Sequence, residues 1–231
     1  MRNAPQNISY YDLPNCVHND LGAPNPPGLK ILKFLYPRLK QAGMKGVYVY
    51  GNPAWGYAGP MNYLLAKLAW DPEADVDALF SEFCDKAYAD GAHELKQLFT
   101  LLDDATERYF VAHPEETYVL SAGRTKDVYA AAFPEMERLY REAQAKIADP
   151  QAARRLEMLG TNLTVLHWNL RQMKLLPEPE KSSFYLTDAD FFSLVLANRK
   201  SLALAPSAPA RPASLRKNLS VAPGGAITGA E

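Results

Sequence analysis

The spacing of hydrophobic and polar positions changes near residue 60. Before it, ISYYDL (8–13) and GVYVYG (46–51) are typical of β-strands, because both are rich in aromatic and β-branched residues and are bounded by turn residues. Between them, apolar residues recur at helical spacing: Leu29, Leu32, Tyr36 and Leu39. The order strand, helix, strand predicts a βαβ unit, in which two parallel strands are joined by a right-handed crossover.

Two residues define the predicted shape of this first helix. Pro37 should interrupt the helix or divide it into two short turns, because proline lacks the backbone N–H and its ring crowds the preceding turn. Gly43 is a candidate C-terminal cap, since glycine readily adopts the left-handed conformation found there.

After residue 60 the apolar positions follow a helical period. MNYLLAKLAW (61–70) is mostly apolar on all faces of a helix, which predicts that this helix is well buried. Asp71, followed by Pro72, and Asp75 are both candidate N-caps for the next helix. Four more segments have helical periodicity: VDALFSEFCDKAY (76–88), HELKQLFTLLDDATERYF (93–110), PEMERLYREAQAKI (134–147), which starts at Pro134, and DADFFSLVLANRK (188–200).

The clearest helical pattern is RRLEMLGTNLTVLHWNLRQMKLL (154–176). Its apolar positions step alternately by three and four: Leu156, Leu159, Leu163, Leu166, Leu170 and Met173. This spacing is typical of the seam of a helical bundle or coiled coil. His167 and Trp168 lie on the same helix, and we interpret both as packing or surface residues.

A single βαβ unit gives a sheet that is too small to be stable by itself. Parallel strands are normally buried on both faces, and two strands alone leave two edges of unpaired backbone groups. We therefore expect the first residues to be the end of a larger α/β structure whose earlier strands are not in this chain. The alternatives are that further strands escape the pattern, or that the two segments are loops on a helical protein.

The predicted fold class is mainly α with a small α/β part. Residues 1–60 form the α/β part and residues 61–202 an α-helical domain. The tail, 203–231, is rich in Ala, Pro, Ser and Gly without lasting periodicity, which is typical of a disordered segment or linker.

Charge and composition exclude several classes of function. The formal net charge of −1 argues against a nucleic-acid partner, which requires clustered Lys and Arg. No apolar run is long enough for a membrane span, so we expect no membrane partner. The N-terminus, MRNAPQNISYY, lacks the apolar core of a signal peptide. Localisation stays open, including an extracytoplasmic one if the chain is truncated at that end.

Neither the cysteines nor the histidines have the spacing of a metal site. Cys16 and Cys84 are too few for a disulfide framework, and Cys84 lies in a helical pattern, where we expect a small buried apolar residue. The four histidines show no HxxxH or HExxH spacing. We expect neither a metal nor a cofactor.

The run NYLLAKLAWDPEADVDALFSEFCDKAYADGAHELKQLFTLLD (62–103) resembles a junction in one group of bacterial proteins. These are uncharacterised proteins related to α-glucuronidase-like and β-hexosaminidase-like glycoside hydrolases. LAKLAWDP and DVDALFSEF carry the resemblance, whereas YADGAHEL replaces the usual Tyr-Gly-x-Ala. The similarity extends over about residues 8–110. The later helices are similar only in general character, and the tail is not similar.

The resemblance implies that the chain holds the last one or two βα units of a (β/α)8-type barrel, followed by a helical bundle domain. ISYYDL would be the penultimate strand and GVYVYG the last. YGNPAWGYAG (50–59) would then lie at the C-terminal rim, where barrels build their sites. Aromatic rings there can stack on a pyranose, and Asn or Asp can bond its hydroxyls. The candidate substrate-binding residues are Tyr11, Asp12, Tyr50, Asn52, Trp55 and Tyr57.

These candidates also have structural explanations. Asp12 can cap the loop that follows it through its own backbone, and Asn52 with Pro53 can begin a turn. Trp55 can be a packing wedge between that loop and the first bundle helix. Tyr50, at a strand end, can point either way.

Catalysis is not expected from this chain alone. Glycoside hydrolysis normally needs two carboxyl groups around the scissile bond. In the families that the chain resembles, that pair comes from a mid-barrel strand, and no carboxylate in the first sixty residues pairs convincingly with Asp12. The chain would supply contacts to a uronic acid or hexosamine-type glycan, with the upstream barrel segment as its partner. The alternative is a non-enzymatic helical protein-interaction module, which the Leu seam favours.

Overall fold

The computed structural model describes residues 9–12, 22–49, 55–116 and 120–198, and these form a mainly helical protein, as predicted. The first unit comprises β1 (Ser9–Asp12), α1 (Leu29–Gln41) and β2 (Gly46–Val49). The later helices are α2 (Trp55–Trp70), α3 (Val76–Tyr88), α4 (Ala92–Ala112), α5 (Ala122–Arg124), α6 (Ala131–Lys146), α7 (Pro150–Gln172) and α8 (Asp188–Asn198). A π-helical turn, Thr125–Ala130, joins α5 to α6, and short 3-10 turns lie at Ala89–Gly91 and Pro179–Lys181.

The two strands pair in parallel, which confirms the βαβ prediction. Ser9 lies opposite Gly46, and the register continues to Asp12 opposite Val49. Val47 and Val49 pack against the helical core, so one sheet face is covered. Among the described residues no third strand pairs with either edge. The barrel that the resemblance implies stays a prediction, and the tail 203–231 lies outside the described residues.

The prediction that Pro37 divides the first helix is wrong. Helix α1 is continuous with Pro37 inside it, because Leu32 and Tyr36 on its inner face are buried and hold the turns on the core. The predicted cap at Gly43 is confirmed. This residue has φ +78°, and the following Met44 N–H donates to the Leu39 carbonyl over 3.0 Å.

Helix α2 begins six residues earlier than predicted and runs across residue 60, the predicted boundary between the two parts. Gly56, Gly59 and Pro60 disfavour a helix in this segment, but close packing overrides that preference. A Cβ atom placed on Gly59 would lie only 3.0 Å from the Phe83 ring of α3, so glycine permits the approach of the two helices. Asp71 is not a helix cap. Asp75 caps α3, accepting the N–H groups of Asp77 and Ala78 over 2.9 and 3.1 Å.

Helix α7 is the centre of the bundle. Every residue from 159 to 170 is buried, and the predicted leucine seam lies in the main core with helices α2, α3, α4 and α6. The opposite side of α7 packs on α8, where the Trp168 and Phe191 rings stack 4.5 Å apart. Both sides are therefore apolar interfaces, and Trp168 is a packing residue.

Cys84 is a buried core residue, as predicted. It lies on α3 within the main cluster, and burial raises the pKa of its thiol to about 12.

The segment that links α7 to α8 is held against the bundle by polar contacts. The His167 Nε2–H donates to the Pro179 carbonyl over 3.0 Å. Glu137 of α6 accepts the hydroxyl of Ser182, 2.9 Å away, and both the N–H and the hydroxyl of Ser183, each 2.6 Å away. The imidazole of His167 is buried, and this burial lowers its pKa below 6.5.

The lowered pKa of His167 predicts a loss of stability in acid. As pH falls below 6.5, the unfolded chain binds a proton at this residue before the folded chain does. The free energy of unfolding should therefore fall by at most about 1.4 kcal/mol per pH unit. At higher pH, titration of His167 should no longer change the free energy of unfolding. Urea unfolding of wild type and His167→Gln between pH 8 and 5 measures this contribution.

The matched control is His93→Gln, at an exposed position of α4. His167→Gln should reduce the decrease in the free energy of unfolding at low pH, because glutamine keeps an N–H donor without titrating. His93→Gln should leave that decrease unchanged. Equal slopes in wild type and His167→Gln would contradict the assignment.

Candidate functional site

The structure places one predicted aromatic residue on an open sheet face. Tyr11 lies opposite Tyr48, with ring centroids 5.3 Å apart and planes inclined by 16°. Their exposed fractions are 57% and 62%. Because side chains alternate along a strand, this face is the one opposite Val47 and Val49. A stacked pair of phenol rings is thus turned away from the helices.

Of the remaining predicted residues, Asp12, Trp55 and Tyr57 are described. Asp12 ends β1 opposite Val49. Tyr50 and Asn52 lie outside the described residues. Trp55 is the first residue of α2 and is 45% exposed, which leaves part of its ring available.

Tyr57 differs most from its predicted setting. It lies within α2, not on a connecting loop, and only 1% of its surface is exposed. Its carbonyl accepts the Asn25 N–H over 2.9 Å, which ties the segment after β1 to the start of α2. The ring is enclosed because α2 packs into the bundle from its first turn. Of the predicted aromatic residues described, Tyr11 and Trp55 therefore expose rings and Tyr57 does not.

Buried amides lie on α7, beside the segment that leads into α1, and the sequence interpretation missed them. Asn162 and Asn169 on α7 donate to the carbonyls of Met158 and Val165 over 2.8 and 3.1 Å. Gly22, at φ +63°, packs so closely on Val165 that a Cβ atom would lie 2.5 Å from Cγ1. Two asparagines inside an apolar helix were the available signal, because asparagine is a poor helix former and costs energy to bury.

A second feature is a cavity of about 690 Å³ formed by α1 and the segment before it, α4, the middle of α2, α5 and the π-helical turn. Its walls are mainly apolar, with Ile31 and Phe34 from α1 and Phe110 and Val111 from α4. Arg124, only 4% exposed, also lines it, with Cζ 5.2 Å from the centre of the Phe110 ring. Sequence periodicity does not indicate this cavity, because its residues come from separate helices.

Asp103 anchors the start of α1 beside this cavity. Its carboxylate accepts the N–H groups of Gly28 over 2.6 Å and Leu29 over 3.1 Å. Gly28 has φ +71°, so the chain turns sharply into the helix at this point. Burial raises the pKa of Asp103, while the two N–H donors act in the opposite direction. A carboxylate at a helix N-terminus also interacts favourably with the helix dipole.

Charges at the cavity rim form an ion-pair network. Lys30 contacts Glu107, and its Nζ lies 3.7 Å from an Asp104 oxygen. These groups are solvent-exposed, so their contribution to stability is small.

The described residues contain neither a cluster of three or more side chains suited to a metal ion nor a helix long and apolar enough to cross a membrane.

Comparisons with protein-family models, curated proteins and solved structures find no match to this chain.

The anchoring role of Asp103 gives a stability prediction. Asp103→Ala removes two charge-assisted hydrogen bonds, so we expect the free energy of unfolding to fall by about 2 kcal/mol. Hydrogen exchange at the Gly28 and Leu29 amides should accelerate. Denaturant unfolding and amide exchange measure the two effects.

The control is Asp104→Ala, one residue along the same helix, which should change stability by less than about 0.5 kcal/mol. Similar losses in the two variants, with unchanged exchange at Gly28, would rule out the anchoring role.

Proposed function

We propose that this chain is part of a carbohydrate-binding or carbohydrate-processing protein of the glycoside-hydrolase-like type. In this role it supplies contacts to a glycan and lacks the catalytic carboxylate pair. The observation that carries the proposal is the exposed, stacked pair Tyr11 and Tyr48 on the sheet face turned away from the helices.

The position of this pair suits a ligand site in an α/β structure. In a (β/α)8 barrel the helices cover the outside, so the opposite sheet face points to the interior, and sites form at the carboxyl ends of strands. Tyr11 and Tyr48 are each the third residue of a four-residue strand, close to that end. Their rings offer apolar faces to a pyranose and hydroxyls that can bond its substituents.

Further strands would complete the sheet. Among the described residues no third strand pairs with β1 or β2, and an adjoining α/β segment with parallel strands would extend the sheet. The resemblance assigns this place to the upstream part of a barrel.

The same face argues against catalysis by this chain alone. By strand alternation it carries Ser9, Tyr11, Gly46 and Tyr48, and none of these described residues has a carboxyl group. The acid pair of a glycosidase would have to come from the adjoining segment.

A sugar titration tests the proposal. Oligosaccharides containing glucuronic acid or N-acetylglucosamine are titrated into the chain, and binding is followed by calorimetry or NMR. Each of Tyr11→Ala and Tyr48→Ala should weaken binding about five- to tenfold, because each removes a stacking surface worth about 1 kcal/mol.

Tyr185→Ala is the control, because Tyr185 is also exposed but belongs to the linker between α7 and α8. It should leave the affinity unchanged. If neither class of sugar gives saturable binding, or if all three variants bind like wild type, the sugar-contact proposal fails.

The exposed rings on a sheet that has two strands among the described residues also favour a second function, that of a protein-interaction module. In that case Tyr11→Ala and Tyr48→Ala would lower self-association or partner binding and leave sugar titrations unchanged. Light scattering over a range of protein concentrations separates self-association from sugar binding.

A further inference from the structure

The size and lining of the cavity between α1 and α4 suit a small molecule. Its volume of about 690 Å³ falls within the range of about 300–1,000 Å³ typical of ligand pockets. Ile31, Phe34 and Val111 are apolar lining residues that are also exposed to solvent. A ligand with an aromatic or aliphatic body would remove this surface from water, which is the main source of affinity in such sites.

The guanidinium of Arg124 in the wall favours a ligand with an anionic group. Asp103 is engaged by the two N–H groups at the start of α1, and Lys30 and Glu107 face each other at the rim. Arg124 brings a buried guanidinium to the apolar wall beside Phe110. A guanidinium has five N–H donors, so it can bond a ligand in addition to its contacts within the protein.

Arg124 lies at the start of an unusual backbone turn. The Arg124 N–H donates to the Ser121 hydroxyl over 3.0 Å, and the Thr125 hydroxyl donates to the Ser121 carbonyl over 2.8 Å. The π-helical turn follows immediately, and Tyr129, five residues after Arg124, also lines the cavity. Turns of this kind are rare and occur frequently at functional sites, because they reorient the side chains along a helix.

We infer that this cavity is a binding site for a small amphipathic anion, whose apolar body fills the space between Ile31, Phe34 and Phe110 and whose carboxylate or sulfonate contacts Arg124. This site is separate from the sheet face proposed to bind sugar, so the two can be tested independently.

Two probes with the same ring system isolate the charge. One is 8-anilinonaphthalene-1-sulfonate, and the other is N-phenyl-1-naphthylamine, which lacks the sulfonate. Both are titrated into the full chain by fluorescence, with excitation of the probe. We expect saturable binding of one equivalent of the sulfonate. In Arg124→Met its affinity should fall at least tenfold, and that of the neutral probe should change less than twofold.

Two further variants control for location and fold. Arg108→Met, at an exposed position of α4, removes a cation from the same helix as Phe110 and should leave both affinities unchanged. Ile31→Trp, at the exposed mouth, should weaken both probes, because the indole occupies the space of the ligand. Far-UV circular dichroism and thermal unfolding establish that each variant is folded.

A competition experiment uses the wild-type chain, so its result holds even if the Arg124→Met variant does not fold. 2-Naphthoate should displace the sulfonate probe at least five times more effectively than neutral 2-naphthamide. The inference is overturned if the sulfonate probe does not bind, if Ile31→Trp has no effect on its binding, if Arg124→Met weakens both probes equally, or if the two competitors are equivalent.

Discussion

Helix α7 runs between two separate apolar clusters, and the burial of its residues 159–170 on every side constrains how the other helices pack. The leucine seam faces the main core, while Val165 and Trp168 face α8. Polar side chains on such a helix have no access to water, so they must bond within the protein. Thr161, Thr164 and Asn169 do so by donating to carbonyls four residues earlier in the same helix. The core therefore accommodates polar residues without losing its packing.

The two proposed binding surfaces lie at the margin of this bundle, where packing leaves side chains exposed. Helix α1 contributes to both regions, because it connects the two strands and also forms one wall of the cavity. The Asp103 carboxylate fixes the start of this helix to α4 from 75 residues away in sequence. A single buried carboxylate thus links the position of the α/β unit to that of the bundle.

The sequence was informative where a residue's role follows from local spacing. The parallel βαβ unit, the leucine seam of α7 and the Asp75 cap depend on neighbouring positions, and the structure confirms them. Predictions that require tertiary contacts were incomplete. Gly59 in α2 permits the close approach of Phe83, and Pro37 is retained within α1 because Leu32 and Tyr36 on the inner face of the helix are buried. Arg124 gave no periodic signal, since its setting arises from Phe110 on another helix.

The buried thiol of Cys84 has a consequence for how opening of the bundle can be observed. A cysteine reacts as its thiolate, and burial both shields this sulfur and keeps it protonated. Alkylating reagents can therefore modify this thiol only after α3 separates from its neighbours. The rate of modification then depends on how often that separation occurs. The rate at which Cys84 is alkylated therefore measures how often the interior of the bundle opens.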